Sequence, residues 1–304
     1  MSLLTVGTVA FDSIETPFGK ADRIVGGAAT YISWAASYFV KDIKLCSVIG
    51  DDFPDTELEA LKAQGVSLEG LQVKEGEKSF YWAGRYHDNM NSRDTLVTEL
   101  NVLADFDPVL PESYKDAEYV MLGNLTPEVQ MRVIQQMNKR PKLIVLDTMN
   151  FWMDVAMDSL KKVIAVIDVL TINDEEARQL SGEYSLVKAA RVIRAMGPKY
   201  LVIKKGEHGA LLFHEENIFF APALPLEEVF DPTGAGDTFA GGFIGYLAGT
   251  GDLSFENMKR AVVYGSVLAS CTVEKFGIEK IKNLNKNEID ARVKRFADLM
   301  SVDM

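Results

Sequence analysis

Short apolar runs alternate with helical patterns along most of this 304-residue chain. Runs of this length, apolar on both faces, are typical of strands in a parallel sheet that helices cover on both sides. Parallel strands need crossover connections, so the alternation predicts an α/β fold built on a mostly parallel central sheet. The predicted strands are 3–9, 43–49, 119–122, 143–147, 169–172 and 200–204.

Several predicted helices have readable starts and ends. Thr126-Pro127-Glu128 combines a capping residue, a proline at the first helical position and an acid. The helix predicted over 185–196 ends at Gly197-Pro198. A further helix over 254–273 has one continuous apolar face.

Residues 71–100 interrupt this pattern, because strand-like stretches follow one another without a crossover helix. Turn residues at 75–76 and 88–91 separate the stretches 71–74, 79–86 and 95–100. We therefore predict one domain over 1–304, with a small antiparallel sheet built from about 11–24 and 71–100. This sheet is either a lid over a site or a dimer contact, and the sequence favours neither.

Composition excludes several classes of function. The formal net charge of −12 argues against binding to a nucleic-acid backbone. The apolar runs are too short to span a membrane, and we predict a cytoplasmic protein. Its two cysteines, Cys46 and Cys271, lie in apolar surroundings typical of reduced thiols, and no Cys/His cluster has zinc spacing.

The stretch from Asp231 to Phe239, Asp-Pro-Thr-Gly-Ala-Gly-Asp-Thr-Phe, indicates the chemistry. Residues 234–236 are so small that their backbone N–H groups can closely approach a ligand. The helix predicted over 238–247 begins there, and a helix N-terminus favours an anion such as phosphate. A carboxylate at Asp237 would repel that anion, but it suits a base that accepts a proton from an attacking hydroxyl. The local residues thus indicate phosphoryl transfer to an alcohol.

Taken alone, Gly-x-Gly-Asp is equally a helix cap after a tight turn. The whole string, however, resembles the C-terminal signature of the ribokinase-like (PfkB) carbohydrate kinase family. The resemblance extends in family order over nearly the whole chain. It implies a ribokinase-like three-layer α/β/α sandwich with a β-sheet lid. It also implies Asp237 as catalytic base and an anion hole formed by the amides of Gly234, Ala235 and Gly236.

The resemblance also assigns an acceptor site near the first strand. Gly26 and Gly27 match the family's glycine pair, although a tight strand-to-helix turn would use the same residues. Asp12 stands where family members often bind substrate hydroxyls, and a carboxylate suits a polyol because it only accepts hydrogen bonds. The family usually carries asparagine where this chain has Tyr31, so the aromatic ring is expected to contact a sugar, a cyclitol or a nucleobase.

The nucleotide site is expected beyond the ends of later strands. Asn173 and Glu176 form a predicted capping box, and they also match the family's Asn-x-x-Glu motif near Mg²⁺. Mg²⁺ keeps several waters, so we expect these two residues to act on it through water. For ATP the resemblance implies binding by Lys204, Gly206, Gly209 and Thr233.

Together these features predict an ATP- and Mg²⁺-dependent kinase that phosphorylates a hydroxyl of a small sugar or polyol. A nucleoside kinase is the alternative, and a catalytically inactive protein that binds a sugar or a nucleotide is a third hypothesis. Some family members bind a monovalent cation near residues equivalent to 231–233, so K⁺ dependence is open here. Whether the chain forms a homodimer through the lid is also open. Neither nucleic acid nor a membrane is an expected partner.

Overall fold

The apolar runs pair into a nine-stranded sheet within residues 1–301, the part of the chain that the computed structural model describes. The strand order is β13-β12-β11-β10-β9-β8-β1-β4-β5. The pairs β11–β12 and β12–β13 are antiparallel, and the other neighbouring pairs are parallel. Its strands are β1 (Ser2–Val6), β4 (Asp42–Gly50), β5 (Val66–Lys74), β8 (Tyr119–Leu122), β9 (Leu143–Asp147), β10 (Val169–Asn173), β11 (Tyr200–Lys204), β12 (Ala210–His214) and β13 (Asn217–Ala221).

Helices cover both faces of this sheet, as the continuous apolar strands require. In β8, Tyr119 and Met121 pack into the apolar cluster under one helical layer, whereas Val120 and Leu122 pack into the cluster under the other. The α-helices are α1 (Ala28–Ala36), α2 (Asp55–Ala63), α3 (Pro127–Gln135), α4 (Asn150–Val155), α5 (Met157–Ile164), α6 (Asp174–Ser181), α7 (Leu186–Arg194), α8 (Ala235–Thr250), α9 (Phe255–Thr272), α10 (Glu279–Lys282) and α11 (Lys286–Met300). The predicted three-layer α/β/α architecture is confirmed.

A separate four-stranded sheet, in the order β3-β2-β6-β7, is formed within residues 1–301. Its strands are β2 (Ala10–Thr16), β3 (Gly19–Gly26), β6 (Phe80–Tyr86) and β7 (Arg93–Glu99). The region predicted as one strand at 11–24 is thus a hairpin, β2–β3. We call this small sheet the lid below.

The prediction that 71–74 belongs to the lid is wrong. These residues end β5, which pairs in parallel with β4 at the edge of the main sheet. Helix α2 provides the crossover between β4 and β5, and this crossover lies before residue 71 in the chain. The mixed exposure of β5 follows from its edge position, and it explains why its sequence lacks the continuous apolar run of a central strand.

Helix α8 packs closely against α1 because glycines face the contact. A Cβ added at Gly241 would lie 2.5 Å from the backbone oxygen of Ile32, and one added at Gly245 would lie 2.6 Å from the Cα of Ala36. This close packing fixes the start of α8 relative to the start of α1. The predicted base, Asp237, and the predicted acceptor residue Tyr31 lie on these two first turns.

Candidate active site

The ends of three neighbouring parallel strands bring polar side chains to one edge of the main sheet. Asp147 ends β9, Asn173 ends β10 and Lys204 ends β11. Asn173 pairs with Lys204 in register, and Asp147 pairs with Thr171 of β10. In open α/β sheets, ligands bind beyond this carboxyl edge.

The turn before α8 is held by a buried carboxylate. Asp231 accepts hydrogen bonds from the N–H groups of Thr233 and Gly277, each over 2.8 Å. Gly234 then adopts a φ of 73°, in the left-handed region that favours glycine. Helix α8 begins at Ala235, three residues before the predicted start, so Asp237 lies inside its first turn.

The three predicted anion-hole amides are not equivalent. The N–H of Ala235 donates to the carbonyl oxygen of Pro232 over 3.2 Å. In the described part of the chain, no hydrogen bond occupies the N–H groups of Gly234 and Gly236. The turn therefore offers two free donors beside a helix N-terminus, which is an arrangement that suits a phosphate.

Asp237 is half-buried beside these donors. Burial, reinforced by the neighbouring carboxylate of Asp147, raises the pKa of Asp237 to about 7, although Lys204 and Arg93 act in the opposite direction. A carboxyl group that titrates near neutral pH can accept a proton and release it again.

Lys204 lies between the strand ends and this turn. Its Nζ donates to Asp147 Oδ2 over 2.6 Å, and a Cβ added at Gly236 would lie 3.1 Å from the same Nζ. Burial lowers the pKa of the Lys204 ammonium, but the carboxylates of Asp147 and Glu176 outweigh burial and raise it. The ammonium therefore stays charged next to the two free amides.

Asn173 and Glu176 form the predicted capping box of α6. The Glu176 N–H donates to Asn173 Oδ1 over 2.8 Å, and the Asn173 N–H donates to Glu176 Oε2 over 2.7 Å. Burial raises the pKa of Glu176 to about 7, against the opposing charge of Lys204. One carboxyl oxygen of Glu176 is left for another ligand, so capping does not use up this residue.

Near the start of α1, Asp12 of β2 lies against the glycine pair Gly26 and Gly27. A Cβ added at Gly26 would overlap the Asp12 carboxylate, and one added at Gly27 would lie 2.5 Å from the backbone oxygen of Thr8. Gly26 thus admits the carboxylate, whereas Gly27 admits the loop after β1. Burial, with the charges of Asp231 and Asp237, raises the pKa of Asp12 to about 7.

The Tyr31 ring packs against the turn that leads into α8, residues 231–236, which we call the phosphate turn. Its side chain is 1% exposed, and a Cβ added at Gly234 would overlap its ring. The ring therefore packs directly on the turn before Asp237. This contact joins the predicted acceptor site to the predicted anion hole.

The lid covers the same region. Tyr86 of β6 accepts a hydrogen bond from Thr233 Oγ1 over 3.2 Å. Arg93 of β7 lies over the rings of Trp82 and Tyr86, at 5.7 and 6.0 Å from their centroids. Its guanidinium lowers the pKa values of carboxyls in the site, so the lid supplies a positive charge to a site rich in carboxylates.

The loop after β11 also contacts the lid. Gly206 is the first residue of a short 3₁₀ helix and Gly209 follows its last residue, with φ values of 53° and 87°. A Cβ added at Gly206 would lie 2.8 Å from Asn91 Oδ1, in the turn between β6 and β7. Both predicted nucleotide-binding glycines therefore belong to a loop at the site, and the lid lies within reach of it.

Sequence reasoning missed Asp147, Arg93 and Tyr86. Asp147 was counted as the end of a buried strand, although an acid at the end of a parallel strand is itself a signal. Arg93 and Tyr86 lie in the lid, and no local pattern tells where a lid strand folds over the main sheet.

The residues present fit Mg²⁺ bound largely through water. In residues 1–301, no group of three or more His, Cys, Asp and Glu side chains could hold a metal ion directly. Asp147, Glu176 and Asp237 nevertheless interact through their charges. Mg²⁺ retains several waters and takes one or two carboxylates, which matches this sparse donor set.

No helix in residues 1–301 is both long enough and apolar enough to cross a membrane.

Known proteins resemble this chain in sequence and in fold. A cytidine kinase from Thermococcus kodakarensis is 31% identical over 256 residues, covering 82% of this chain and 90% of that protein. A nucleoside kinase from Methanothermobacter thermautotrophicus is 25% identical, with 97% and 95% of the two chains covered.

The fold matches solved structures at lower identity. The putative ribokinase II from E. coli, in complex with ATP and Mg²⁺, has a TM-score of 0.80 at 20% identity, covering 97% of this chain and 99% of that one. The nucleoside kinase of Burkholderia thailandensis, in complex with inosine, has a TM-score of 0.78 at 21% identity, covering 96% and 98%. Residues 11–283 match the pfkB family carbohydrate kinases as a family. The chain therefore belongs to the PfkB family of carbohydrate kinases.

Proposed function

We propose that this protein transfers the γ-phosphoryl group of ATP to a hydroxyl group of a nucleoside. One observation carries the proposal: the Asp237 carboxyl lies in the first turn of α8, beside the amides of Gly234 and Gly236, which make no hydrogen bond within residues 1–301. A base and an anion site side by side suit an alcohol that attacks a phosphorus atom.

In this mechanism Asp237 orients the acceptor hydroxyl and takes its proton as the new O–P bond forms. The bond between the γ-phosphorus and its bridging oxygen breaks, and ADP leaves with that oxygen. A positioned base contributes about 10²–10⁴ in rate. The pKa of Asp237, near 7, leaves a substantial part of the base deprotonated at neutral pH.

The amides of Gly234 and Gly236 and the Lys204 ammonium face the charge on the phosphoryl oxygens. Each preorganised donor of this kind is worth roughly 10²–10³ in kcat. We assign Ala235 a smaller share, because its N–H already donates to Pro232. Lys204 keeps its charge because carboxylates surround it, so it is ready to bind phosphate.

Bound Mg²⁺ would neutralise phosphate charge. Glu176 and Asn173 would hold its water shell, using the Glu176 oxygen that the capping box leaves free. Gly206 and Gly209 would contact the nucleotide, and Thr233 would link the phosphate turn to the lid through Tyr86.

A nucleoside is the first acceptor because two of the relatives are a cytidine kinase and a nucleoside kinase. Asp12, with Gly26 and Gly27 around it, would bind the sugar hydroxyls. A free sugar is the second acceptor, because a carboxylate accepts equally well from any polyol. The ribokinase of Lactococcus lactis, a 25% identical relative, also supports a sugar.

The chain would form one kinase domain whose lid, β2–β3 and β6–β7, closes over the site. A monovalent cation such as K⁺ would bind to backbone carbonyl groups near Asp231 and Thr233. The exposed edge strand β7 would pair with a second copy in a homodimer. Titration of K⁺ in the activity assay and gel filtration at several concentrations test these last two points.

An ADP-release assay with ATP and Mg²⁺ tests the function. Cytidine, adenosine and inosine are compared with ribose and inositol as acceptors. We expect turnover with at least one nucleoside, at a higher kcat/KM than with the free sugars. Preference for ribose or inositol would overturn the nucleoside assignment, and no turnover with any acceptor would overturn the kinase assignment.

Asp237→Asn tests the mechanism, and Asp290→Asn on the exposed side of α11 is its control. We expect Asp237→Asn to lose at least about 10²-fold in kcat and to retain ATP binding. The control is expected to keep wild-type kcat. Wild-type kcat in Asp237→Asn would exclude this carboxyl as the base.

A further inference from the structure

A β-bulge in the lid lies directly beside Asp12. The register between β2 and β3 shifts between Asp12 and Ile14, where Ser13 faces two residues of β3. The second of these two, Arg23, has a φ of 48°, in the left-handed region that residues other than glycine rarely occupy. Its N–H donates to Ser13 Oγ over 2.8 Å. Bulges next to active sites redirect side chains, so the conformation of Arg23 contributes to the direction of Asp12.

Arg23 is held by residues from outside the lid. Its guanidinium pairs with Asp52 Oδ2 over 2.5 Å and lies over the ring of Phe11, 4.2 Å from the ring centroid. The Phe11 ring packs on Phe53, with the two centroids 5.3 Å apart. Asp52 and Phe53 belong to the loop between β4 and α2. Two consecutive residues of that loop therefore contact the lid on both sides of Asp12, at the residue before it and at the bulge.

The Asp52 carboxylate is itself fixed by a second contact. Its Oδ1 accepts hydrogen bonds from the N–H and the hydroxyl of Ser79, over 2.8 and 2.7 Å. Burial acts to raise the pKa of Asp52, but the Ser79 hydrogen bonds and the Arg23 charge outweigh burial and lower that pKa. Asp52 therefore stays charged at neutral pH and presents Oδ2 to Arg23 from a set position.

We propose that Asp52 and Arg23 are positioning residues for the acceptor, because their ion pair holds the bulge, and with it Asp12, in place relative to Asp237. Asp12 lies in the lid and Asp237 in α8, so an acceptor that binds both needs the lid fixed against the rest of the chain. The two side chains of the pair are 48% and 23% exposed, and such pairs add little to global stability. This inference rests on the proposed function, since it takes Asp12 as an acceptor ligand.

Asp52→Asn and Arg23→Gln test the inference. Asparagine still accepts from Ser79 and loses only the charge that faces Arg23, whereas glutamine keeps the backbone demand at the bulge. We expect each variant to raise the KM for the preferred acceptor of the ADP-release assay about two- to fivefold. The KM for ATP is expected to stay unchanged and kcat to stay within about twofold. The double variant should raise the acceptor KM no further than either single variant.

Arg85→Gln is the matched control. Arg85 pairs with Glu15 over 2.9 Å, and its side chain is 53% exposed, close to the exposure of Arg23. Both of these residues belong to the lid, so their ion pair does not connect the lid to the rest of the chain. We expect the acceptor KM of Arg85→Gln to equal that of the wild type.

With an active wild-type enzyme, an unchanged acceptor KM in either Asp52→Asn or Arg23→Gln overturns the inference. Additive increases in the double variant, or an equal rise in the KM for ATP, overturn it as well. If the wild type turns over no acceptor, the proposed function fails, and hydrogen exchange over residues 10–26 then decides whether the ion pair holds the bulge. Faster exchange in Asp52→Asn than in the wild type supports that role, and equal exchange overturns it.

Discussion

Lys204 reaches across the middle strand of three to pair with Asp147, its Nζ 2.6 Å from Asp147 Oδ2. Thr171 on that middle strand donates to the same carboxyl oxygen over 3.0 Å. Two donors therefore hold one oxygen of Asp147, and the side chains of the ion pair are only 17% and 9% exposed. Water screens this pair little, so its charges set the electrostatics of the site.

This pairing predicts a strong coupling between Lys204→Met and Asp147→Asn. Each single variant leaves the other member of the ion pair buried without this partner, and loss of such a partner typically costs about 3–5 kcal/mol of unfolding free energy. The double variant removes both charges and is expected to recover most of that loss. Urea denaturation of the four proteins measures the coupling.

Activity should not recover with stability. The double variant lacks the ammonium that faces the phosphate turn, so its kcat is expected to stay at least about tenfold below wild type. A double variant with wild-type kcat would mean that Lys204 serves only the fold. Additive stability losses would mean that the ion pair contributes no net coupling.

The sequence predicted the layers of the fold because each central strand carries a continuous apolar run. The edge strand β5 lacks this pattern, since it pairs with one neighbour only, and 71–74 are grouped with the lid in the prediction because no crossover helix fits within 71–100. The sequence places the start of helix α8 at residue 238, after the Gly-Ala-Gly run. In the structure Gly234 takes a left-handed φ and α8 starts directly after it.

The candidate site was predictable where residues adjacent in sequence act together, as in the Asp237 turn and the capping box of Asn173 and Glu176. It was not predictable where distant segments meet. The contact between the Tyr31 ring and Gly234 depends on the packing of α1 against α8. The approach of Arg93 depends on how the lid folds back.

Gly234→Ala is expected to destabilise the protein for two reasons. A non-glycine residue in the left-handed region costs about 1–2 kcal/mol, and the new Cβ would also overlap the Tyr31 ring. Gly182→Ala is the matched control, because Gly182 has a φ of 71° with nothing within 4 Å of an added Cβ. We expect the loss at Gly234 to exceed the loss at Gly182 by at least about 1 kcal/mol. Equal losses by thermal denaturation would mean that Tyr31 moves aside freely.

Arg93→Met is expected to change the pH dependence of activity. The base must be deprotonated to act, so kcat/KM should fall as pH drops below the Asp237 pKa of about 7. The guanidinium of Arg93 lowers that pKa, and its removal should therefore shift the acid limb to higher pH. Arg85→Met is the control, since this lid arginine pairs with Glu15 over 2.9 Å near the surface. If the pH profiles of Arg93→Met and wild type coincide, the charge of Arg93 does not affect the pKa of Asp237 in the active enzyme.

Asp237→Asn is expected to stabilise the ligand-free protein at pH 8 more than at pH 5. The folded-state pKa of about 7 lies above the ordinary value of 3.8, so the folded protein holds this proton more tightly than the unfolded chain. Stability from that proton is full below about pH 4 and is lost as pH rises through 7. At pH 8 the carboxylate is charged in a site that disfavours the charge. Asparagine is therefore expected to raise the free energy of unfolding by roughly 1–3 kcal/mol, after allowance for partial exposure.

Urea unfolding at both pH values measures the difference, with Asp290→Asn as the control. A gain that is larger at pH 5 would show that the folded protein favours the charged form of Asp237, and it would remove the electrostatic basis for a base that titrates near neutral pH.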